Sequence, residues 1–131
     1  MSMNAVAERD QILRLMQMEI LEIRHGYAKV RMPLLDCLKN GMGVAHGGSI
    51  FSLADIAFGA AANEDSEQFV VTLSTSIEYL SPGAVGPLVA EAHVIREGKR
   101  IQNYEVKIFD GNGTLIARTM TTGYTTSAKV S

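Results

Sequence analysis

A segment of fifteen residues with a single charge constrains the fold of this chain more than any other part of its sequence. Residues 49–63 read SIFSLADIAFGAAAN and contain one charged side chain, Asp55. Apolar residues occur all round the predicted helix, so we expect it to be buried, and it is too short to span a membrane. Asp55 falls at helical spacing between Phe51 and Phe58, so we expect its carboxylate to lie within an apolar stripe. Because burying an ionised carboxylate is costly unless it is compensated, Asp55 needs either a structural or a catalytic role.

The composition predicts one globular domain over residues 1–131, without nucleic-acid or membrane partners. Hydrophobic residues make up 47% of the chain and charged residues 20%, and the net charge of −2 is far from that of a nucleic-acid binder. No apolar run is long enough for a membrane span, and charges near the start of the chain argue against a signal peptide. The one cysteine, Cys37, can form no internal disulfide, which fits a reducing cytoplasm. We therefore expect a cytoplasmic protein.

Predicted strands lie on both sides of the apolar helix in the sequence. A short amphipathic helix is predicted at residues 5–17, and a strand that bends near Gly26 at residues 19–32. Four further strands are predicted as a meander: 69–80, 88–96, one through Tyr104, Val106 and Ile108, and 114–125. The segment Asp110-Gly111-Asn112-Gly113, typical of a hairpin turn, joins the last two. The result is an α+β layout in which a five-stranded antiparallel sheet covers one helix.

Two glycines at the start of the helix provide a possible site for an anionic or polarised oxygen. Gly47 and Gly48 have backbone N–H groups at the positive end of the helix, and glycine lets a ligand approach the main chain. Such an N–H can polarise a carbonyl group and stabilise an oxyanion. Asp55 lies eight residues after Gly47, about 12 Å along the axis, which is too far for both groups to act on one carbon. The spacing therefore suggests a site shared between two copies of the chain.

The segment His46-Gly47-Gly48-Ser49-Ile50-Phe51-Ser52-Leu53-Ala54-Asp55, preceded by Asn40-Gly41, resembles the PaaI-type (phenylacetic acid degradation) thioesterases of the hotdog-fold superfamily. Ile77-Glu78-Tyr79-Leu80-Ser81-Pro82-Gly83 and Glu97-Gly98-Lys99-Arg100 are also similar to segments of that family, and the resemblance runs from about residue 12 to 125. It implies a curved antiparallel sheet wrapped around one long helix, edge-to-edge dimers that commonly pair into tetramers, and hydrolysis of acyl-coenzyme A without a metal or redox cofactor.

The resemblance also implies roles for individual residues. Asp55 would be a general base for water or a nucleophile, and the residues leave these two open. The Gly47 N–H would polarise the thioester carbonyl from the other subunit, Asn40 would orient the thioester or the water, and Thr72 would place the nucleophile. His46 would secure the loop rather than transfer a proton. Gly48 and Phe51 are further candidate substrate contacts. From their charge, Arg96, Lys99 and Arg100 are candidates to bind the phosphates of coenzyme A, and a solvated hairpin tip explains these three cations at least as well.

Several alternatives stay open at this point. Met42, Phe51 and Phe58 fit aromatic or medium-chain acyl groups without choosing between them. The acidic connector Glu64-Asp65-Ser66-Glu67 would disfavour anionic acyl groups if it lies near the acyl pocket. A non-catalytic acyl-CoA-binding module and a hotdog hydratase or dehydratase are the rival functions. Cys37, His25, His46 and His93 lack metal-ligand spacing, so we expect no metal site.

Overall fold

The computed structural model describes residues 5–130, so residues 1–4 and 131 of the predicted domain lie outside the described residues. Helices and strands follow one another in this order: α1 (Ala5–Glu8), α2 (Gln11–Leu15), β1 (Glu19–Arg24), β2 (Tyr27–Met32), a 3₁₀ turn (Asp36–Leu38), α3 (Gly47–Asn63), β3 (Gln68–Tyr79), β4 (Leu88–Glu97), β5 (Ile101–Phe109) and β6 (Leu115–Lys129). The apolar helix thus begins at the two glycines, two residues earlier than its apolar part alone predicts.

The sheet is antiparallel and has the strand order β1-β2-β4-β5-β6-β3. Helix α3 packs mainly against β2 and β4 and also contacts β3 and β5. Small side chains make this contact close, because Ala57 and Ala61 of the helix and Ala28, Ala90 and Ala92 of the sheet are fully buried. The predicted α+β hotdog architecture, an antiparallel sheet around one long helix, is confirmed.

The predicted four-strand meander is wrong. β3 pairs with β6 and not with β4, which pairs instead with β2. The connection of residues 80–87 leaves β3 beside β6, because the N–H groups of Leu80 and Ser81 both donate to the carbonyl of Ile116. The strand β3 therefore lies at an edge of the sheet.

The region before α3 is divided more finely than the sequence predicts. Residues 19–32 form two strands rather than one bent strand, because Gly26 adopts φ +82°, a left-handed conformation that closes a tight turn. The sheet therefore has six strands among the described residues and not five. Residues 5–17 likewise form two short helices. Asp10 separates them as the N-cap of α2, its Oδ1 accepting from the N–H groups of Ile12 and Leu13 at 3.0 and 3.2 Å.

Helix α3 and strand β3 run side by side in opposite directions. The Tyr79 hydroxyl, at the end of β3, donates to the carbonyl of Gly47 at the start of α3 (2.8 Å). At the other end, the side-chain oxygen of Asn63 accepts a hydrogen bond from the N–H of Val70 (2.9 Å), and its Nδ2 donates to the carbonyl of Val70 (3.1 Å). The start of the helix therefore lies beside the end of the strand, and this arrangement positions the site.

Candidate active site

The start of α3 presents one free backbone donor. His46 is the N-cap, with φ −64° and ψ 140°, and its Nδ1 accepts from the N–H of Gly48 at 2.9 Å. Because Nδ1 is an acceptor here, the neutral ring carries its proton on Nε2. The N–H of Gly47 has no hydrogen-bond partner among residues 5–130. His46 therefore orders the helix start and leaves the Gly47 N–H available.

Gly47 lies in a depression of about 480 Å³, here called the Gly47 depression, whose lining includes Asn40, Met42, Ile50 and Tyr79. The Oδ1 of Asn40 accepts from the N–H of Met42 (2.9 Å) and, more weakly, from that of Val44 (3.4 Å). These bonds orient the amide, so its Nδ2 is left as a donor without a partner in the described chain. Asn40 and Gly47 together offer two hydrogen-bond donors in one depression.

The prediction that Asp55 lies within a buried apolar stripe is wrong for the single chain, in which its side chain is exposed. Gly48, Ser52, Asp55 and Gly59 form a stripe of small and polar residues that the sheet does not cover, since α3 packs mainly on β2 and β4. The helix is therefore not apolar and buried all round.

Asp55 nevertheless has a perturbed carboxylate. The hydroxyl of Thr72, on β3, donates to Asp55 Oδ1 at 3.2 Å. Loss of surrounding water raises the pKa of Asp55 above its ordinary value; the Thr72 hydrogen bond lowers it, and the negative charge of Asp10 raises it. A carboxylate with a raised pKa is a stronger base than an ordinary aspartate, which suits proton transfer from water.

Asp55 and Thr72 line a second depression of about 300 Å³, here called the Asp55 depression, together with Asp10, Phe58, Gly59 and Val71. Asn40 and Gly47 do not line it, and neither Asp55 nor Thr72 lines the Gly47 depression. The structure thus brings the predicted residues together as two pairs, at two separate places on one chain.

The remaining predicted contacts are spread around these depressions. Phe51 is half-buried beside Asp55 and packs near Thr75 and Thr121, whereas Gly48 faces a different depression with His46 and Ser52. Arg96, near the end of β4, and Lys99 and Arg100, in the turn before β5, are all exposed. Arg100 Nη1 donates to the carbonyl of Thr125 (3.1 Å). None of these three cations lines either depression in the single chain.

Sequence reasoning did not assign Tyr79 and Asp10 to the site. Tyr79 lines the Gly47 depression and bonds to Gly47 from a residue 32 positions away. Asp10 lines the Asp55 depression, which the prediction of one continuous helix at residues 5–17 concealed. The acidic connector of residues 64–67 lines neither depression in the described chain. We expect it to disfavour anionic acyl groups only if it lies near the acyl pocket, and in the single chain it does not line either candidate pocket.

Residues 5–130 contain neither a metal-binding cluster nor a membrane-spanning helix. No three His, Cys, Asp or Glu side chains in this part of the chain are grouped closely enough to hold a metal ion. No helix within the same range has the length and apolar character needed to cross a membrane.

Comparison with known proteins gives the family. The family model described as "Thioesterase superfamily" matches residues 42–117. A putative esterase of Archaeoglobus fulgidus is 36% identical over 118 residues, covering 89% of this chain and 76% of that protein. The acyl-coenzyme A thioesterase PaaI of Escherichia coli is 35% identical over 106 residues, covering 80% of this chain and 75% of that protein.

Solved structures agree with these matches. The E. coli PaaI structure superposes with a TM-score of 0.91 at 29% identity, covering 97% of this chain and 92% of that one. The smu.793 protein of Streptococcus mutans, solved bound to acetyl-CoA, superposes with a TM-score of 0.79 at 25% identity, covering 86% and 91%. The chain therefore belongs to the thioesterase superfamily and is a PaaI-type hotdog thioesterase.

Proposed function

We propose that this thioesterase hydrolyses acyl-CoA to a free acid and coenzyme A at a site shared between two copies of the chain. The similarity to E. coli PaaI and to a neighbour that holds acetyl-CoA supports the substrate class. The observation that carries the shared site is the division of the candidate residues between two depressions. We infer that residues 1–131 act as one cytoplasmic hotdog domain on aromatic or medium-chain acyl groups.

The arrangement of α3 and β3 explains how two copies would complete a site. β3 is an edge strand, and its Val71 and Leu73 side chains are 43% and 57% exposed, which favours pairing with another strand. Two copies of β3 paired antiparallel about a two-fold axis would set the start of one strand beside the end of the other. Because Thr72 holds Asp55 near the start of β3 and Tyr79 holds Gly47 at its end, Asp55 of one copy would face Gly47 of the second. A homodimer therefore forms the active unit, and a tetramer would pair two of them.

The proposed reaction uses the two pairs of residues on opposite sides of one thioester. The Gly47 N–H and Asn40 Nδ2 donate to the thioester carbonyl oxygen and stabilise the negative charge that develops there. Asp55, oriented by Thr72, takes a proton from water as the water oxygen bonds to the carbonyl carbon. When the C=O bond re-forms, the C–S bond breaks and the sulfur of coenzyme A takes the proton that Asp55 held. In the second route the Asp55 carboxylate attacks the carbonyl carbon and the C–S bond breaks to release the thiolate of coenzyme A. Water then hydrolyses the acyl–Asp55 anhydride, which restores the carboxylate and frees a proton for the thiolate.

The binding of the two ends of the substrate is assigned from the chemistry of the residues that line the depressions or lie exposed near them. The exposed Met42 lines the Gly47 depression and Phe58 lines the Asp55 depression, so apolar contacts are available for the acyl group. Arg96, Lys99 and Arg100 lie at the end of the sheet where β3 begins, since Ile101 and Val71 both pair with Tyr124 of β6. We assign these three cations to the phosphates of coenzyme A.

Asp55→Asn tests the function directly. The substitution keeps the size of the side chain and removes the proton acceptor, so thiol release from a panel of acyl-CoAs should fall about a hundredfold or more. Binding of a non-hydrolysable acyl-CoA analogue should stay near the parental value, and Asp36→Asn, at a fully exposed side chain, should hydrolyse normally. A folded Asp55→Asn protein with parental kcat would end the catalytic assignment. Binding without thiol release by the parent would instead favour the acyl-CoA-binding module, and consumption of an unsaturated acyl-CoA without thiol release would favour the hydratase.

A further inference from the structure

The Asp55 depression contains a second carboxylate that the proposed reaction does not use. Asp10 stands at its wall, contributed by the segment between α1 and α2. Its position is fixed, because Oδ1 accepts from the backbone N–H groups of Ile12 and Leu13 as the N-cap of α2. The short N-terminal helices therefore hold a negative charge beside Asp55.

Among residues 5–130, no cationic side chain lines this depression to neutralise the two carboxylates. The side chains that line it in the described chain are uncharged apart from Asp10 and Asp55. Arg9, next to Asp10 in the sequence, has its guanidinium over the ring of Phe69, 5.7 Å from the ring centre, and does not line the depression. The charged residue of β3, Glu78, lies near Arg118 of β6 (3.7 Å) and far from Thr72 along the strand. The depression is therefore negatively charged and otherwise mostly apolar.

We propose that Asp10 is a specificity-determining residue that excludes anionic acyl groups from the Asp55 depression and thereby restricts the enzyme to uncharged acyl thioesters. The inference rests on the proposed function, because it assumes that the acyl group of the substrate lies beside Asp55. A carboxylate on the acyl chain would meet two like charges in a partly desolvated space, and like charges brought together there repel strongly. An uncharged chain of the same length meets no such repulsion and can contact the apolar part of the wall, which includes Phe58 and Val71.

The same charge acts on Asp55 itself, which gives a readout that does not need turnover. The negative charge of Asp10 helps to raise the pKa of Asp55, after the larger effect of desolvation. Removing the charge of Asp10 should therefore lower the pKa of Asp55, and a purely structural role for Asp10 as an N-cap would not.

The test compares Asp10→Asn with the parent on two thioesters of equal acyl length, pentanoyl-CoA and glutaryl-CoA. Asparagine is as good an N-cap as aspartate, so the variant should fold normally. The parent should prefer the uncharged pentanoyl-CoA, and Asp10→Asn should raise the ratio of kcat/KM for glutaryl-CoA over pentanoyl-CoA at least about threefold, as expected for one partly screened charge. Glu22→Gln is the control for net charge, since Glu22 is exposed on β1, at the opposite edge of the sheet from β3.

Titration of the Asp55 carboxyl by ¹³C NMR in the same proteins completes the test. We expect a lower pKa for Asp55 in Asp10→Asn and no change in Glu22→Gln. An unchanged ratio in a variant that still hydrolyses pentanoyl-CoA overturns the inference and leaves the proposed function intact. If the parent hydrolyses neither these thioesters nor any other in the panel, the proposed function fails, and the inference about acyl selectivity fails with it whatever the titration gives. If hydrolysis occurs, an unchanged Asp55 pKa contradicts the charge mechanism.

Discussion

At the scale of single residues, Gly47 is the position where one atom can be tested alone. It is the first residue of α3, and its N–H has no partner in residues 5–130. Proline is well tolerated at the first helical position, and the preceding residue, His46, already has the extended ψ of 140° that proline requires before it. A proline there can therefore remove the N–H without breaking the helix.

We predict that Gly47→Pro lowers kcat about 10²–10³-fold relative to Gly47→Ala, the cost of losing one oxyanion donor. The alanine variant is the matched control, because both add a Cβ, which would lie 3.1 Å from the Tyr79 hydroxyl, but only proline removes the N–H. Circular dichroism and thermal midpoints of the two variants establish that both fold. Equal kcat values for the proline and alanine variants would show that the Gly47 N–H takes no part in catalysis.

At the scale of secondary-structure elements, His25 joins three of them at one end of the molecule. It lies in the turn between β1 and β2; its Nδ1 contacts the carbonyl of Glu64 at the end of α3 (2.8 Å), and its Nε2 contacts Oε1 of Glu97, the last residue of β4 (2.6 Å). A carbonyl and a carboxylate are both acceptors, so both ring nitrogens must donate, and the ring is an imidazolium. The bond to Glu64 is the largest cause of the raised pKa of His25; burial opposes it and Glu97 adds to it.

We predict that His25→Gln lowers the thermal midpoint more at pH 5.5 than at pH 8.5. Because the pKa of His25 is raised in the folded protein, its stabilising effect is complete below the unfolded value of about 6.5 and is lost as the pH rises through the folded pKa. Both side chains of the His25–Glu97 pair are 43% exposed, so solvent screens them and the effect should stay below about 4 °C. The check is thermal unfolding of parent and variant across this pH range; a difference that grows with pH would contradict the imidazolium assignment.

At the scale of the whole molecule, the separation of the two depressions makes activity a property of the assembly. Asn40 and Gly47 line one depression, and Asp55 and Thr72 line the other. In the proposed dimer each complete site takes one pair from each copy. Two inactive variants with damage in different pairs should then restore each other.

We predict that mixing Asp55→Asn with Gly47→Pro restores activity. In a mixed dimer one site combines both damaged pairs and the other combines both intact pairs. Random exchange at equal amounts makes about half of the dimers mixed, so about a quarter of all sites are intact and about a quarter of the parental activity should return. Subunit exchange is verified by mass spectrometry of differently tagged chains, and a mixture of Asp55→Asn with Thr72→Ala, damaged in the same pair, is the control. Activity no higher than the sum of the two variants, with exchange verified, would contradict a shared site.

The arrangement of an antiparallel sheet around one long helix, and the identities of the candidate residues, could be predicted from the sequence. The apolar helix required a sheet to cover it, and alternating segments with Gly and Asp turns supplied that sheet; the hairpin at residues 110–113 formed as predicted, with Gly113 at φ +80°. These features depend on local periodicity and turn chemistry, which a linear sequence contains. The motif from His46 to Asp55 likewise gave the family, although the roles of its residues stay predictions.

Which elements are neighbours could not be predicted from the sequence, because it depends on packing between distant segments. The pairing of β3 with β6 leaves β3 at the edge, and no local pattern records that choice, because a strand's alternation is the same whichever strand lies beside it. The exposure of Asp55 follows from which side of α3 the sheet covers, and helical spacing alone cannot give the direction of a neighbour. Tyr79 beside Gly47 and Asp10 beside Asp55 are contacts between residues distant in sequence. Packing determines such contacts, since it brings together side chains that no spacing along the chain relates.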